Sequence, residues 1–282
     1  MTRIDDHAIQ VTPEVTLAAT SYAPDDEPER VVIISSGTGF PRSFYRHVAT
    51  YMQARGALVV TYDYRGIADS ASDALLQHAD LPDWAEDLDA VTAWAVANHP
   101  DLPMFHIGHS VGGHIAALSA QAHHFEKQLL VACGAGTLWQ HFVSRWPLEL
   151  YFWWVLGTFS LLRWGYIPRI GGWAGAPLPG PVFRTWRRWS HKSRYHAEEV
   201  EAWHARHPGA RIASPIEFWV FTDDGICTPR SARTIMDCFP DADTTMRVIE
   251  PSACGLEKIG HEGAFRKNHP LWEQWWESLN NA

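Results

Sequence analysis

The chain is 282 residues long, with 46% hydrophobic residues, 20% charged residues and a formal net charge of −9. That length can bury a large core, the composition excludes a disordered chain, and the acidic balance excludes a general nucleic-acid binder, which would be basic. Four scattered cysteines (Cys133, Cys227, Cys238, Cys254) form no C-x-x-C pair, so neither a disulfide scaffold nor a zinc ribbon is expected, and a reducing cytoplasm is the simplest location.

The opening MTRIDDHAIQVTPE is polar and acidic, without the apolar core of a secretory signal. Val15–Tyr22 reads as a strand, and Val31–Ser36 as a β-branched strand ended by Gly37-Thr38-Gly39. A helix over Arg42–Arg55 and a buried strand over Ala57–Tyr64 follow. Asp83–Asn98 is a helix: Trp84, Leu88, Val91 and Ala95 recur at helical spacing, and Asp83, Glu86 and Asp87 complement its N-terminal dipole. Met104–Gly108 is a strand, Val111–Ala122 a helix and Gln128–Cys133 a strand. The alternation resumes late, with strand Ile216–Thr222, helix Pro229–Phe239, strand Thr245–Ile249 and helix Pro270–Leu279. Strands without internal alternation, separated by helices, predict a mostly parallel sheet covered on both faces.

Between Gly134 and about Ala213 the pattern breaks, in a span rich in Trp, Arg, Gly and Pro that holds most of the 15 tryptophans. Its length suits an insertion better than a loop. The expected organisation is core 1–136, insertion 137–211 and core 212–282. Within the insertion, Trp146–Pro168 is apolar, but it carries Glu149, Arg163, Pro147 and two glycines. A partly buried helix is expected there, not a membrane span. Arg184–Arg194 interleaves Arg and Lys with Trp186 and Trp189. It reads as a solvated helix face with the tryptophans beneath; the alternative is a contact for an acidic substrate tail, a phosphate or an anionic surface.

The chemistry concentrates at Gly108-His109-Ser110-Val111-Gly112-Gly113, a G-x-S-x-G pattern between a strand and a helix. A sharp turn there lifts the serine oxygen clear of the sheet, and the glycines relieve the crowding. A serine hydroxyl needs a base to take its proton. In the fold that carries this motif, an acid and then a histidine follow in chain order. Asp223-Asp224-Gly225 ends the strand that follows the insertion, and only one of the two aspartates can point at the histidine. Asp224 is preferred, nearer the loop that turns over the sheet; Asp223 is the alternative acid. His261, in Gly260-His261-Glu262-Gly263 before the final helix, is the candidate base. An oxyanion hole needs two converging N–H groups, assigned to Val111 and to Thr38, with Gly39 as second choice to Thr38.

These motifs, with the turn Tyr64-Arg65-Gly66-Ile67-Ala68-Asp69-Ser70, resemble the α/β-hydrolase superfamily along nearly the whole chain. GHSVGGH at 108–114, the Trp/Arg-rich insertion and GHEGAFR at 260–266 are similar to a group of bacterial predicted hydrolases with poorly defined substrates. The chain departs at Ala68, where a glycine is usual, and at Glu262 and Ala264, where that group has aromatics. The resemblance implies an α/β-hydrolase fold, an inserted Trp-rich helical cap, and a Ser110–Asp224–His261 triad.

The expected activity is hydrolysis of an ester or thioester of an apolar acyl or aromatic small molecule through an acyl-serine. An acyltransferase using the same intermediate is one alternative, and a non-catalytic ligand-binding protein another. Serine at position 110 argues against the haloalkane and epoxide reactions that use an aspartate there. No cofactor is implied. No metal site is expected from His106/His109, His123/His124 or His204/His207, which lack a companion Cys or carboxylate set. Oligomeric state is not legible.

Overall fold

The computed structural model describes residues 3–267 and 269–281. Its centre is an eight-stranded sheet of strands β1 (Arg3–Thr12), β2 (Val15–Ala23), β3 (Arg30–Ser35), β4 (Ala57–Tyr62), β5 (Met104–His109), β6 (Phe125–Val131), β7 (Ile216–Phe221) and β8 (Thr244–Ile249). The spatial order is β1-β2-β4-β3-β5-β6-β7-β8. β1/β2 and β2/β4 pair antiparallel, and every other pair is parallel.

The central strands are buried throughout, as strands with both faces covered must be. Alternate side chains serve two cores. Val31, Ile33, Leu58 and Val60 pack on one face with Trp84, Leu88 and Val91 of the helix Leu81–Asn98. Val32, Ile34 and Val59 pack on the other with Val48 and Met52 of the helix Arg46–Gln53 and with Trp272, Trp275 and Leu279 of the helix Leu271–Asn280. The helices run α1 (Arg46–Gln53), α2 (Asp73–His78), α3 (Leu81–Asn98), α4 (Val111–Ala116), α5 (Trp146–Leu150), α6 (Gly157–Trp164), α7 (Gly180–Ser190), α8 (Ala197–Arg206), α9 (Pro229–Met236) and α10 (Leu271–Asn280). Helix α3 starts earlier than its apolar periodicity implied, because Asp80 and Asp83 form a capping box around Pro82.

Several expected elements are corrected. The helix expected over Val111–Ala122 ends at Ala116. The Asp89 carboxylate takes the Ser119 hydroxyl and the Ala120 and Gln121 N–H groups, which competes with helix continuation. The helix expected over Arg42–Arg55 is a 3-10 turn, Arg42–Tyr45, followed by α1, and Tyr45 is fully buried. The strand expected over Gln128–Cys133 lies at Phe125–Val131, because Ala132 turns left-handed with φ 54°. β1 is not anticipated by the sequence pattern: it is a sheet-edge strand with a single buried residue, Ile9, and with the charged Arg3, Asp5 and Asp6. Ala68, at the departure from the usual glycine, has φ 44°, a conformation an L-residue adopts only at some cost.

Between β6 and β7 the chain is helical. A π-helical stretch, Tyr151–Leu156, joins α5 to α6, and α7 and α8 follow. One side packs into the α3-side core through Trp153, Val182, Phe183 and Trp189. The other leaves Trp154, Val155, Phe159 and Leu162 exposed. No helix among the described residues is long and apolar enough to cross a membrane. A bridge between Ile167 and Leu178 closes an excursion that carries Trp173 back over the sheet.

Candidate active site

Ser110 stands at the turn from β5 into α4 with φ 51° and ψ −114°, a strained conformation for a residue bearing a Cβ. The close packing that holds it requires the flanking glycines. A Cβ on Gly112 would lie 2.6 Å from the Ser35 carbonyl oxygen, and one on Gly108 would lie 2.9 Å from backbone at Gly112 and Gly113. The Ser110 N–H donates to the Val131 carbonyl at 3.0 Å, tying the turn to the neighbouring strand.

His261 reaches this turn from the loop before α10. Its Nε2 lies 3.0 Å from Ser110 Oγ and its Nδ1 2.6 Å from Asp224 Oδ2. An ionised carboxylate only accepts, so the proton sits on Nδ1 and Nε2 is free to accept from the serine. Asp224 is buried, and its other oxygen accepts the Ile226 and Cys227 N–H groups at 2.9 and 3.1 Å. Asp223 faces away from the imidazole: its Oδ2 accepts the Ile259 and Gly260 N–H groups, each at 2.9 Å. The two adjacent aspartates therefore divide the work, one meeting the ring and the other holding the loop that carries it.

Burial disfavours charge on both partners, yet their mutual attraction outweighs it. Asp224 is held below the ordinary carboxylate range by His261 and by the two N–H groups. The Asp224 charge and hydrogen bond, helped by Glu262, lift His261 above the usual 6.5.

A chain of hydrogen bonds behind the serine has no counterpart in the sequence reading. The Gly37 N–H donates to Tyr45 Oη at 2.7 Å, Tyr45 O–H donates to His109 Nδ1 at 2.7 Å, and His109 Nε2 donates to the His261 carbonyl at 3.0 Å. Burial pushes the His109 ring down to about 3, so it is neutral and can donate from one nitrogen while accepting at the other. Three loops far apart in sequence are thereby fixed to one another. The only local hint is a histidine beside the nucleophile; Tyr45 offers none.

Thr38, Ser110, Val111 and His261 line one cavity of about 160 Å³, closed by Phe40, Trp173, Trp186 and Ile226. Val111 opens α4, so its N–H is one of the four that a helix cannot satisfy internally. Gly39 sits behind this wall, where a Cβ would lie 2.7 Å from the Trp173 ring, and its carbonyl accepts the Ala176 N–H at 2.8 Å. In α7, Trp189 is buried and Trp186 faces the cavity. Among the described residues no group of three or more His, Cys, Asp or Glu side chains could hold a metal ion.

A mostly parallel sheet, a strained serine between β5 and α4, and an acid and histidine delivered by later loops define an α/β hydrolase. The chain belongs to the family described as serine aminopeptidase, S33, whose signature matches residues 26–169. It is 32% identical over 110 residues to a monoacylglycerol lipase of Mycolicibacterium smegmatis, covering 39% of each chain. Human monoglyceride lipase is 27% identical over 116 residues, covering 39% of this chain and 37% of that one. The chain thus matches about two fifths of the length of these curated relatives. Among solved structures, a thermostable carboxyl esterase from Bacillus coagulans superposes with a TM-score of 0.61 at 15% identity, covering 89% of this chain and 91% of that one. At that identity the likeness concerns the fold.

Proposed function

We propose that this protein is a serine hydrolase that cleaves an ester or thioester of an apolar acyl or aromatic small molecule. The observation that carries the reading is the continuous contact from Ser110 Oγ through His261 to buried Asp224, opening into a largely apolar cavity. The partial similarity to a monoacylglycerol lipase and a monoglyceride lipase supports the same direction.

In this mechanism His261 Nε2 takes the Ser110 proton as Oγ attacks the carbonyl carbon. The N–H groups of Val111 and Thr38 receive the developing oxyanion. Loss of one such donor typically costs about 3–4 kcal/mol of transition-state stabilisation. The imidazolium then protonates the leaving alcohol or thiol, an acyl-serine remains, and His261 activates a water to release it. Asp224 keeps the proton on Nδ1 and stabilises the imidazolium. Residues 137–211 act as a cap that supplies the apolar walls, chiefly Trp173 and Trp186, and excludes bulk water.

The direct test is labelling with a fluorophosphonate probe, followed by mapping of the adduct. One adduct on Ser110, together with turnover of short p-nitrophenyl esters, is the expected result; an unlabelled protein overturns the reading.

A pH dependence follows from the electrostatics. The base must be neutral, and Asp224 raises its proton affinity. The kcat/KM profile should therefore show an acidic limb with its midpoint above 6.5, activity falling as the pH drops through it. Asp224, shifted downward, stays ionised across that limb. A midpoint below the ordinary histidine value would contradict the Asp224–His261 coupling.

A further inference from the structure

Beyond the serine cavity lies a second chamber of about 210 Å³. The two share Gly136, Trp173, Trp186 and Ile226 as walls, so the chamber adjoins the serine cavity. Phe152, Trp153 and Leu156 make the chamber apolar, and its charged or titratable lining residues are His141, Arg145, Glu149 and Tyr151.

The polar groups are not equally available. Both Glu149 oxygens meet His141 Nδ1, at 2.9 and 2.8 Å, and His141 Nε2 donates to the Ala135 carbonyl at 2.8 Å. Glu149 thus already has a partner in His141. Arg145 has only a longer contact, Nε to Glu149 Oε1 at 3.5 Å, and that buried Nε makes no hydrogen bond among the described residues. Its side chain is 36% exposed, so the guanidinium meets both chamber and solvent. The stem packs close to backbone: a Cβ on Gly225, next to Asp224, would lie 2.6 Å from Arg145 Cδ. The Arg145 charge also reaches the triad, where it opposes protonation of His261. The chamber thus offers an apolar lining, a saturated acid and an unsaturated guanidinium. A planar guanidinium donates best to a carboxylate.

We infer that Arg145 is a specificity residue, and that the preferred substrate is an ester that also bears a free carboxylate, separated from the scissile carbonyl by an apolar stretch lying in the chamber. The inference rests on the serine-hydrolase reading above and names the substrate class for that site.

The test compares kcat/KM for p-nitrophenyl esters of equal acyl length, one ending in a carboxylate and the other in its neutral methyl ester. A second arm places the carboxylate on the alcohol side. The wild type should favour the charged member of one arm by about tenfold or more, the range of a charge-assisted hydrogen bond. In Arg145→Met that ratio should fall to near one, mainly through KM, and Arg145→Lys should restore part of it. No charge preference in either arm, or a preference that survives in Arg145→Met, overturns the inference. Binding of a free medium-chain dicarboxylate, read as a thermal shift of the wild type, needs neither turnover nor a folded variant. Its absence also counts against the inference. Failure of the fluorophosphonate adduct to form would instead remove the hydrolase reading, so the two failures are distinguishable.

Discussion

Replacing Ser110 with alanine should lower turnover of short p-nitrophenyl esters by about a million-fold, the scale seen when a serine nucleophile is removed from an intact site. Alanine keeps the Cβ, so the backbone at φ 51° bears the same strain and the fold should persist. What disappears is the oxygen 3.0 Å from His261 Nε2. The residual rate would come from the anion-binding N–H groups and from binding alone. Single-turnover assays and probe labelling measure the effect. A variant that kept more than about one per cent of wild-type turnover would show that another group attacks the ester.

The neighbouring aspartates should separate cleanly. Asp224→Asn is expected to reduce kcat by about 10⁴-fold, because an amide facing Nδ1 no longer demands a proton there and the wrong tautomer leaves Nε2 unable to accept. Asp223→Asn removes a charge but keeps an oxygen that can accept the Ile259 and Gly260 N–H groups. Its effect should be on the anchoring of the His261 loop: a loss of about 1 kcal/mol in stability and less than about tenfold in kcat. Steady-state kinetics and thermal melts on the two variants decide it. The reverse ranking would place the acid at 223.

The elements best read from the sequence are those whose signal is local. The serine turn announces itself because backbone approaches within 3 Å leave room only for glycine at positions 108 and 112. The buried strands carry unbroken β-branched runs, and α3 carries its capping acids and apolar stripe. Asp224 and His261 are candidates by chain order, and the preference between the aspartates rests on which lies nearer the loop. What local pattern could not convey is pairing at a distance. β1 looks like a polar tail, because an edge strand needs few buried side chains. Helix α4 stops early because Asp89, 31 residues from Ala120 in sequence, takes the amides there. Tyr45 enters the site by a contact spanning 64 residues, and Trp173 by an excursion of the insertion that no periodicity marks.

The Gly39 carbonyl is bonded to the Ala176 amide, and the Gly39 Cα lies against Gly175 and the Trp173 indole. The roof of the cavity is therefore stitched to the floor strip next to Thr38. A hinged lid swinging up at Trp173 would tear that stitch and pull the Thr38 turn out of shape as it rose. Displacing the Trp173 segment would cost that hydrogen bond, so the position of the insertion and the shape of the loop carrying Thr38 are mechanically linked.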